Sequence, residues 1–186
     1  GFIQAIKAAG CKVVIVHARK AWLDGLSPRE NRELPPLRYD IVQQLKRDFP
    51  QLTVVINGGI KSLGNAADHL ENVDGVMIGR AAYQTPYLLA AVDRMLFNSS
   101  DGQLERVDVF HRYLEYAASE MEIGTAPRHL IKPLHYLFQG QPGARQWRRH
   151  LSERCTKSNT NIETLHAAIR LVERAVSSPH LAAVES

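Results

Sequence analysis

The sequence predicts a parallel α/β fold followed by a small all-helical domain, and three observations predict it. Short apolar, β-branched runs alternate with amphipathic helical stretches over residues 1–98, the pattern of a parallel sheet whose strands are joined by helices. A turn-rich linker, Asn98-Ser99-Ser100-Asp101-Gly102, interrupts that pattern. Beyond it the strand signal is gone, and only helical spacing remains over residues 103–177.

Element by element, Phe2–Ala9 ends a short amphipathic helix that Gly10 stops. Val13-Val14-Ile15-Val16 suits a strand buried on both faces. A polar loop runs from Arg19 to Arg38 and closes near Pro35-Pro36. Ile41, Leu45 and Phe49 recur at helical spacing until Pro50. Thr53–Ile56 reads as a second buried strand, and Ala66, Ala67 and Leu70 mark the next helix. Gly75–Ile78 is a third strand, and Thr85–Phe97 a longer helix with Pro86 in its first turn.

In the helical domain, Val107, Phe110, Leu114, Ala117 and Met121 form one stripe. Leu130–Phe138 predicts a second helix bent at Pro133, and Gly140–Gly143 a turn. A third helix begins over Ala144–Leu151. Thr160 with Glu163 fits a capping box ahead of Ile162, Leu165, Ile169, Val172 and Val176. The tail beyond Ser177 is expected to fray.

Composition narrows the class. Apolar residues make up 45% of the 186, which is a globular and not a disordered balance. No apolar run approaches the roughly 18 residues of a membrane span, and no charged-then-apolar leader pattern opens the chain. Two cysteines, Cys11 and Cys155, are too few for a disulfide framework and read as reduced thiols of a cytoplasmic protein. A net charge of +4 is mildly basic and compatible with RNA. The chain starts at Gly1, and three parallel strands would leave open sheet edges. A closed (β/α)8 barrel takes about 250 residues, so further strands are expected upstream. Residues 1–98 thus read as the C-terminal strands and helices of a (β/α)8 TIM barrel, and residues 103–177 as the small helical domain.

Parallel α/β proteins place their sites at the C-terminal ends of the strands. Here those ends carry His17-Ala18-Arg19, then Asn57-Gly58-Gly59, then Gly79-Arg80. Glycines let main-chain N–H groups approach an anion, and an arginine can grip phosphate oxygens in a fork. A lone Asn57-Gly58-Gly59 is compatible with a mere tight turn. Paired with Gly79-Arg80 in order and spacing, it reads as a phosphate site. Barrel phosphate sites sit after strands seven and eight, which numbers the three strands six, seven and eight. His17 then faces the barrel mouth, as a ligand contact or as a satisfied structural histidine. No histidine or cysteine spacing suits a metal.

Two basic regions point to nucleic acid. The Arg19–Arg38 loop is long against the usual roughly 2–6 residues and sets Arg19, Lys20, Arg29, Arg32 and Arg38 beside Trp22. From Arg128 to Lys157, seven Lys or Arg face one acidic residue, Glu153. Arg145, Arg148 and Arg149 flank Trp147 at spacings that share a helix face. A solvated loop and a solvated face are the plainer alternatives. The excess of +6 exceeds what solubility requires and suggests a phosphate-backbone surface.

The stretch from His17-Ala18-Arg19-Lys20-Ala21-Trp22 through Gly25-Leu26-Ser27-Pro28-Arg29-Glu30-Asn31-Arg32 resembles the signature loop of tRNA-dihydrouridine synthases of the DusA subfamily. Asn57-Gly58-Gly59-Ile60 and Gly75-Val76-Met77-Ile78-Gly79-Arg80-Ala81-Ala82 resemble the family's FMN-phosphate loops. Gly124-Thr125, Arg128-His129 and Gly140-Gln141-Pro142-Gly143-Ala144-Arg145 resemble its helical domain. The resemblance implies that His17 contacts the flavin or its ribityl chain, and that Asn57, Gly58, Gly59, Gly79 and Arg80 hold the FMN phosphate. It implies that Arg29, Arg32, Arg145 and Arg148 touch tRNA. It also implies reduction of a D-loop uridine, at positions 20 and 20a, to 5,6-dihydrouridine with NADPH as reductant. No membrane, metal or second subunit is expected.

In that family the proton comes from a cysteine on a loop after an earlier strand. Cys11 precedes a strand and Cys155 lies in the helical domain, so neither matches. These residues alone are therefore expected to be inactive, with no catalytic residue among them, and to hold FMN weakly. Two other readings stay open: another FMN-binding barrel oxidoreductase, and a non-catalytic tRNA-binding module.

Overall fold

The computed structural model describes residues 1–22, 24–155 and 161–177. The chain forms two compact units; the first is Gly1–Ala82 and the second begins at Tyr83.

The first unit follows a β/α alternation. Its elements are α1 (Phe2–Ala8), β1 (Val13–His17), α2 (Tyr39–Asp48), β2 (Thr53–Asn57), α3 (Leu63–Leu70), β3 (Gly75–Met77) and the start of α4 (Arg80–Gln84). The strands pair in parallel in the order β1-β2-β3. Successive side chains alternate between the two faces of a sheet. Val14, Val54 and Ile56 point to one face and are buried, together with Val42 of α2 and Leu63 and Ala66 of α3. Ser62 caps α3 by accepting the Asn65 N–H at 3.1 Å.

The other face is open. Val13 is 54%, Ile15 61% and Met77 44% exposed. The expectation of strands buried on both faces is therefore corrected for β1. Its apolar run continues through both registers, but α2 and α3 cover only the face that carries Val14 and Val54.

One polar latch ties this layer together. The Asp74 carboxylate accepts the Val54 N–H at 2.8 Å and the Lys46 ammonium at 2.8 Å. Lys46 also donates to the carbonyls of Pro50 and Leu52, each at 3.0 Å. The ammonium first, and then the N–H, hold the Asp74 carboxyl below its ordinary value.

Among its described residues the second unit is helical: α5 (Val92–Leu96), α6 (Arg106–Glu122), α7 (Pro127–Leu130), α8 (Ala144–Arg154) and α9 (Ile162–Ser177). Trp147 anchors its core. The indole is fully buried, lies edge-on to Phe110 at 5.0 Å and Phe138 at 4.8 Å, and donates Nε1–H to the Leu134 carbonyl at 2.9 Å. Gly143 lets α8 approach α9. A Cβ there would lie 2.9 Å from Ala175 Cβ and 3.0 Å from the Leu171 oxygen.

Two expectations change here. The segment Thr85–Phe97 is not one helix but a 3-10 stretch, Pro86–Ala91, followed by α5. Leu130–Phe138 is not a bent helix: α7 ends at Leu130, a 3-10 turn spans Lys132–Leu134, and turns follow to Gly140. Pro133 lacks the N–H that an uninterrupted helix would use. The unit boundary falls at Ala82–Tyr83, whereas the turn-rich linker lies at 98–102. The reason is local packing: Arg106 stacks on the Tyr87 ring at 3.9 Å, and Tyr87 donates its hydroxyl to the Leu104 carbonyl at 2.8 Å. Finally, Asn161 heads α9, its Oδ1 accepting the Thr164 N–H at 3.1 Å. Thr160, proposed for that role, and the tail after Ser177 lie outside the described residues.

Candidate functional site at the strand ends

The register brings the three predicted strand ends into one row. His17 pairs with Asn57, and Asn57 with Met77. By alternation these three side chains leave the sheet on its open face, at the C-terminal end. Beyond the row, the Ala18 N–H donates to the Asn57 carbonyl at 2.8 Å, and the Arg38 N–H to the Ala18 carbonyl at 2.6 Å. An antiparallel bridge joins Arg19 to Leu37. The long loop thus leaves β1 and returns beside it.

Gly58 and Gly59 make the turn after β2 with φ of +111° and +73°. Only glycine adopts such values at little cost. A Cβ on Gly59 would lie 2.5 Å from Leu37 Cδ1 and 2.8 Å from the Tyr39 hydroxyl, and one on Gly58 would lie 3.3 Å from His17 Nε2. Tyr39 donates its hydroxyl to the Gly58 carbonyl at 2.8 Å. Its ring meets His69 edge-on at 4.4 Å, and burial keeps the phenol protonated by raising its pKa. Gly79 differs, because a Cβ there would meet nothing within 4 Å. No main-chain hydrogen bond among the described residues outside the helices and strands uses the N–H of Gly59 or Gly79.

The electrostatics favour an anion. His17 is held below the ordinary imidazole pKa by burial first, then by Arg19 and Arg80. A neutral imidazole therefore stands in the field of two guanidinium groups. Arg80 reaches Glu33 Oε1 at 2.9 Å and the Arg32 carbonyl at 3.3 Å. Arg19 donates Nη1 to the Glu33 carbonyl at 2.9 Å and also to the Pro35 carbonyl, while its buried Nε has no partner. Glycine main chain and two arginines at the C-terminal ends of the strands fit a phosphate group.

The loop has internal order. Ser27 and Glu30 form a reciprocal box: the Ser27 N–H donates to Glu30 Oε2 at 2.8 Å, and the Glu30 N–H to Ser27 Oγ at 3.3 Å. This box opens the 3-10 turn Glu30–Arg32. Asn31 clasps the Trp22 backbone at both its N–H (2.9 Å) and its carbonyl (2.7 Å). The Trp22 ring is 45% exposed, and Arg29 and Arg32 point to solvent.

The sequence assigns no role to Tyr39 or Asn31, and Glu33 enters it only as one of the acids set against the loop's arginines. The S-x-x-E spacing at Ser27–Glu30 is a signal that could have reported local order in the loop. Tyr39 and Glu33 act through contacts that span 19 and 47 residues of chain, so no local pattern reports them.

In the second unit, Arg145 and Arg149 are exposed and Arg148 is half-buried. Arg149 lies 3.9 Å from Glu153. Trp147 between them belongs to the core and offers no ring to a base. Arg148 also depresses the pKa of His135, after burial. Lys157 lies outside the described residues.

Neither thiol stands at the C-terminal strand ends. Cys11 lies before β1, at the opposite end of that strand, with its sulfur 3.1 Å from the Val13 carbonyl. Cys155 is buried among apolar side chains, which push its pKa up to about 11. Among the described residues, no group of three or more His, Cys, Asp or Glu could hold a metal ion. No described helix is long and apolar enough to cross a membrane.

Residues 1–173 match the profile of the family described as dihydrouridine synthase (Dus). A tRNA-dihydrouridine(20/20a) synthase of Shigella flexneri is 55% identical over 172 residues, 92% of this chain and 51% of that protein. The protein of that name from Escherichia coli K12 is 54% identical, over 92% of this chain and 50% of its own length. The one from Shewanella oneidensis is 50% identical, over 92% and 51%. The chain spans about half the length of these curated relatives.

Proposed function

Because this chain belongs to the dihydrouridine synthase family, we propose that it supplies the C-terminal part of an FMN-dependent tRNA-dihydrouridine synthase. Its three strands are then strands six, seven and eight of a (β/α)8 barrel, and residues 103–177 its tRNA-binding helical domain. The observation that carries the reading is the row His17, Asn57 and Met77, flanked by the Gly58-Gly59 turn and by Gly79-Arg80. Membership of the family displaces the reading as an unrelated FMN barrel.

In this reading the main chain at Gly58, Gly59 and Gly79, with Asn57 and Arg80, holds the FMN phosphate. Bound there and reduced at the expense of NADPH, FMN would supply hydride to one carbon of the C5–C6 bond of a D-loop uridine, the other carbon taking a proton. His17 offers a neutral imidazole to the flavin side of the site, as donor or acceptor but not as a strong acid. Arg29, Arg32, Arg145 and Arg148 hold tRNA phosphates and add salt-sensitive affinity. The target base leaves its stack to reach the site. The proton for C5 comes from a group outside these residues, a reading supported by the positions of Cys11 and Cys155. Positions 20 and 20a are those in the relatives' name.

The test is dihydrouridine mapping of tRNA from cells lacking the gene. Loss at positions 20 and 20a, restored by the whole gene and not by these 186 residues alone, is the expected result. Unchanged dihydrouridine there would sink the function. Stoichiometric flavin absorbance on the purified chain would overturn the expectation of weak FMN binding. Salt-sensitive tRNA affinity in a whole protein without flavin would favour the binding module.

A further inference from the structure

We propose that Glu33 is an internal counter-anion that positions Arg80. Its carboxylate holds the guanidinium until a phosphate monoester displaces it, and the displacement loosens the loop carrying Trp22, Arg29 and Arg32. The inference rests on the reading of the strand ends as a phosphate site.

The need for a counter-anion is visible in the contacts. Arg19 and Arg80 follow different strands, β1 and β3, yet both reach Glu33. Like charges at short range repel unless an anion lies between or beside them. Glu33 meets that need with its carboxylate on Arg80 (2.9 Å), and its neutral main-chain carbonyl accepts from Arg19 (2.9 Å). Glu30, the neighbouring acid, is instead engaged by Ser27.

The pair is built to yield. The side chains are 54% and 46% exposed, so water screens it and its net strength is small. It uses one carboxylate oxygen on one guanidinium nitrogen, and the second terminal nitrogen rests on the Arg32 carbonyl at 3.3 Å. A dianionic phosphate monoester offers oxygens to both nitrogens at once, and such forked contacts are the stronger kind.

Displacement has a defined consequence. Glu33 and Leu34 both donate their N–H to the Glu30 carbonyl, at 2.9 and 2.8 Å, so the Glu33 end is part of the 3-10 turn. Asn31 of that turn clasps Trp22. Freeing the Glu33 side chain removes one of the two arginine ties, while Arg19 keeps the other. The loop loosens without detaching, and its arginines are released when the phosphate seat is filled.

The experiment uses the flavin-free intact synthase with and without Glu33→Gln, each beside a Trp22→Phe control, and inorganic phosphate as the probe. Calorimetry should give phosphate affinity about two- to five-fold tighter in Glu33→Gln, the range set by removal of an exposed ion pair. A merely structural role for Glu33 predicts weaker binding. Acrylamide quenching supplies the second readout, since Trp22 is 45% exposed and Trp147 fully buried. Phosphate should raise Trp22 quenching in the wild type and change nothing in Glu33→Gln, where the loop is already loose. Dimethyl phosphate, a diester with a single charge, should do both more weakly. Equal or weaker affinity in the variant, unchanged Trp22 quenching in phosphate-bound wild type, or an equal response to the diester overturns the inference and leaves the phosphate site standing. No phosphate binding by either form overturns both.

Discussion

Tyr39 donates its hydroxyl to the Gly58 carbonyl at 2.8 Å, from the first turn of α2 to the turn after β2. This one bond fixes the peptide that joins Gly58 to Gly59. The direction of the neighbouring N–H groups depends on it, and so does the seat proposed for a phosphate. Replacing Tyr39 by Phe keeps the ring against His69 and removes the bond. Stability should fall by about 0.5–1.5 kcal/mol, and FMN affinity of the intact synthase should fall with it. Thermal unfolding and flavin titration check the two parts. An unchanged flavin affinity would remove Tyr39 from the site.

Gly59 and Gly79 separate two uses of glycine. Gly59→Ala meets Leu37 and the Tyr39 hydroxyl and sits at φ +73°, so it should destabilise the chain by about 1–3 kcal/mol. Gly79→Ala meets nothing within 4 Å, and its cost in folding should be about half a kcal/mol or less. Its methyl group would instead crowd an approaching phosphate. Urea midpoints and flavin retention, measured on both variants, distinguish the roles. Equal loss of stability in the two would contradict this account.

The Lys46–Asp74 latch predicts an acid sensitivity. The folded Asp74 carboxyl titrates below its ordinary value. Its contribution is therefore full above the unfolded pKa of about 4 and is lost as the pH falls through the folded value. Lys46→Met should reduce that acid-side loss. The effect should be no more than about 1 kcal/mol, because Asp74 is 36% exposed and water screens the pair. Asp74→Ala should cost more, about 1–3 kcal/mol, since it strands the N–H of fully buried Val54. Unfolding curves at neutral and acidic pH test both. An identical acid dependence in Lys46→Met would exclude the latch as its source.

Arg145 and Arg148 should act on RNA through charge alone. In the intact synthase, replacing each by Ala should weaken tRNA binding while leaving flavin content unchanged. The slope of log affinity against log salt should become shallower by about 0.7–0.9 for each phosphate that the variant no longer neutralises. Filter binding across a salt series measures it. A slope unchanged in the double variant would move the RNA surface elsewhere.

Much of the fold was legible because it rests on local pattern. Val13–Val16, Thr53–Ile56 and Gly75–Ile78 were read as strands, and strands occupy Val13–His17, Thr53–Asn57 and Gly75–Met77. The stripe from Val107 to Met121 lies on α6, Arg106–Glu122. Apolar period and chain breakers suffice for such elements. Leu130–Phe138 failed the same reading, because Pro133 was taken to bend a helix that in fact stops before it. The open face of the sheet was also missed: an apolar β-branched run looks the same whether one face or both are covered.

His17, Asn57-Gly58-Gly59 and Gly79-Arg80 were found from sequence because they share a position, the residues at or just past the end of a strand. That position is local information, and it suffices to nominate the site; the family rests on the resemblance of the His17–Arg32 loop. The sequence did not show that Arg80 rests on Glu33, that Arg19 binds the far limb of its own loop, or that Tyr39 holds the Gly58 turn. Those relationships join residues 14 to 47 positions apart. The antiparallel bridge at Arg19–Leu37 folds the loop back on itself, and the parallel register of β1, β2 and β3 closes the longer distances, because pairing strands in space sets side chains together regardless of their separation along the chain.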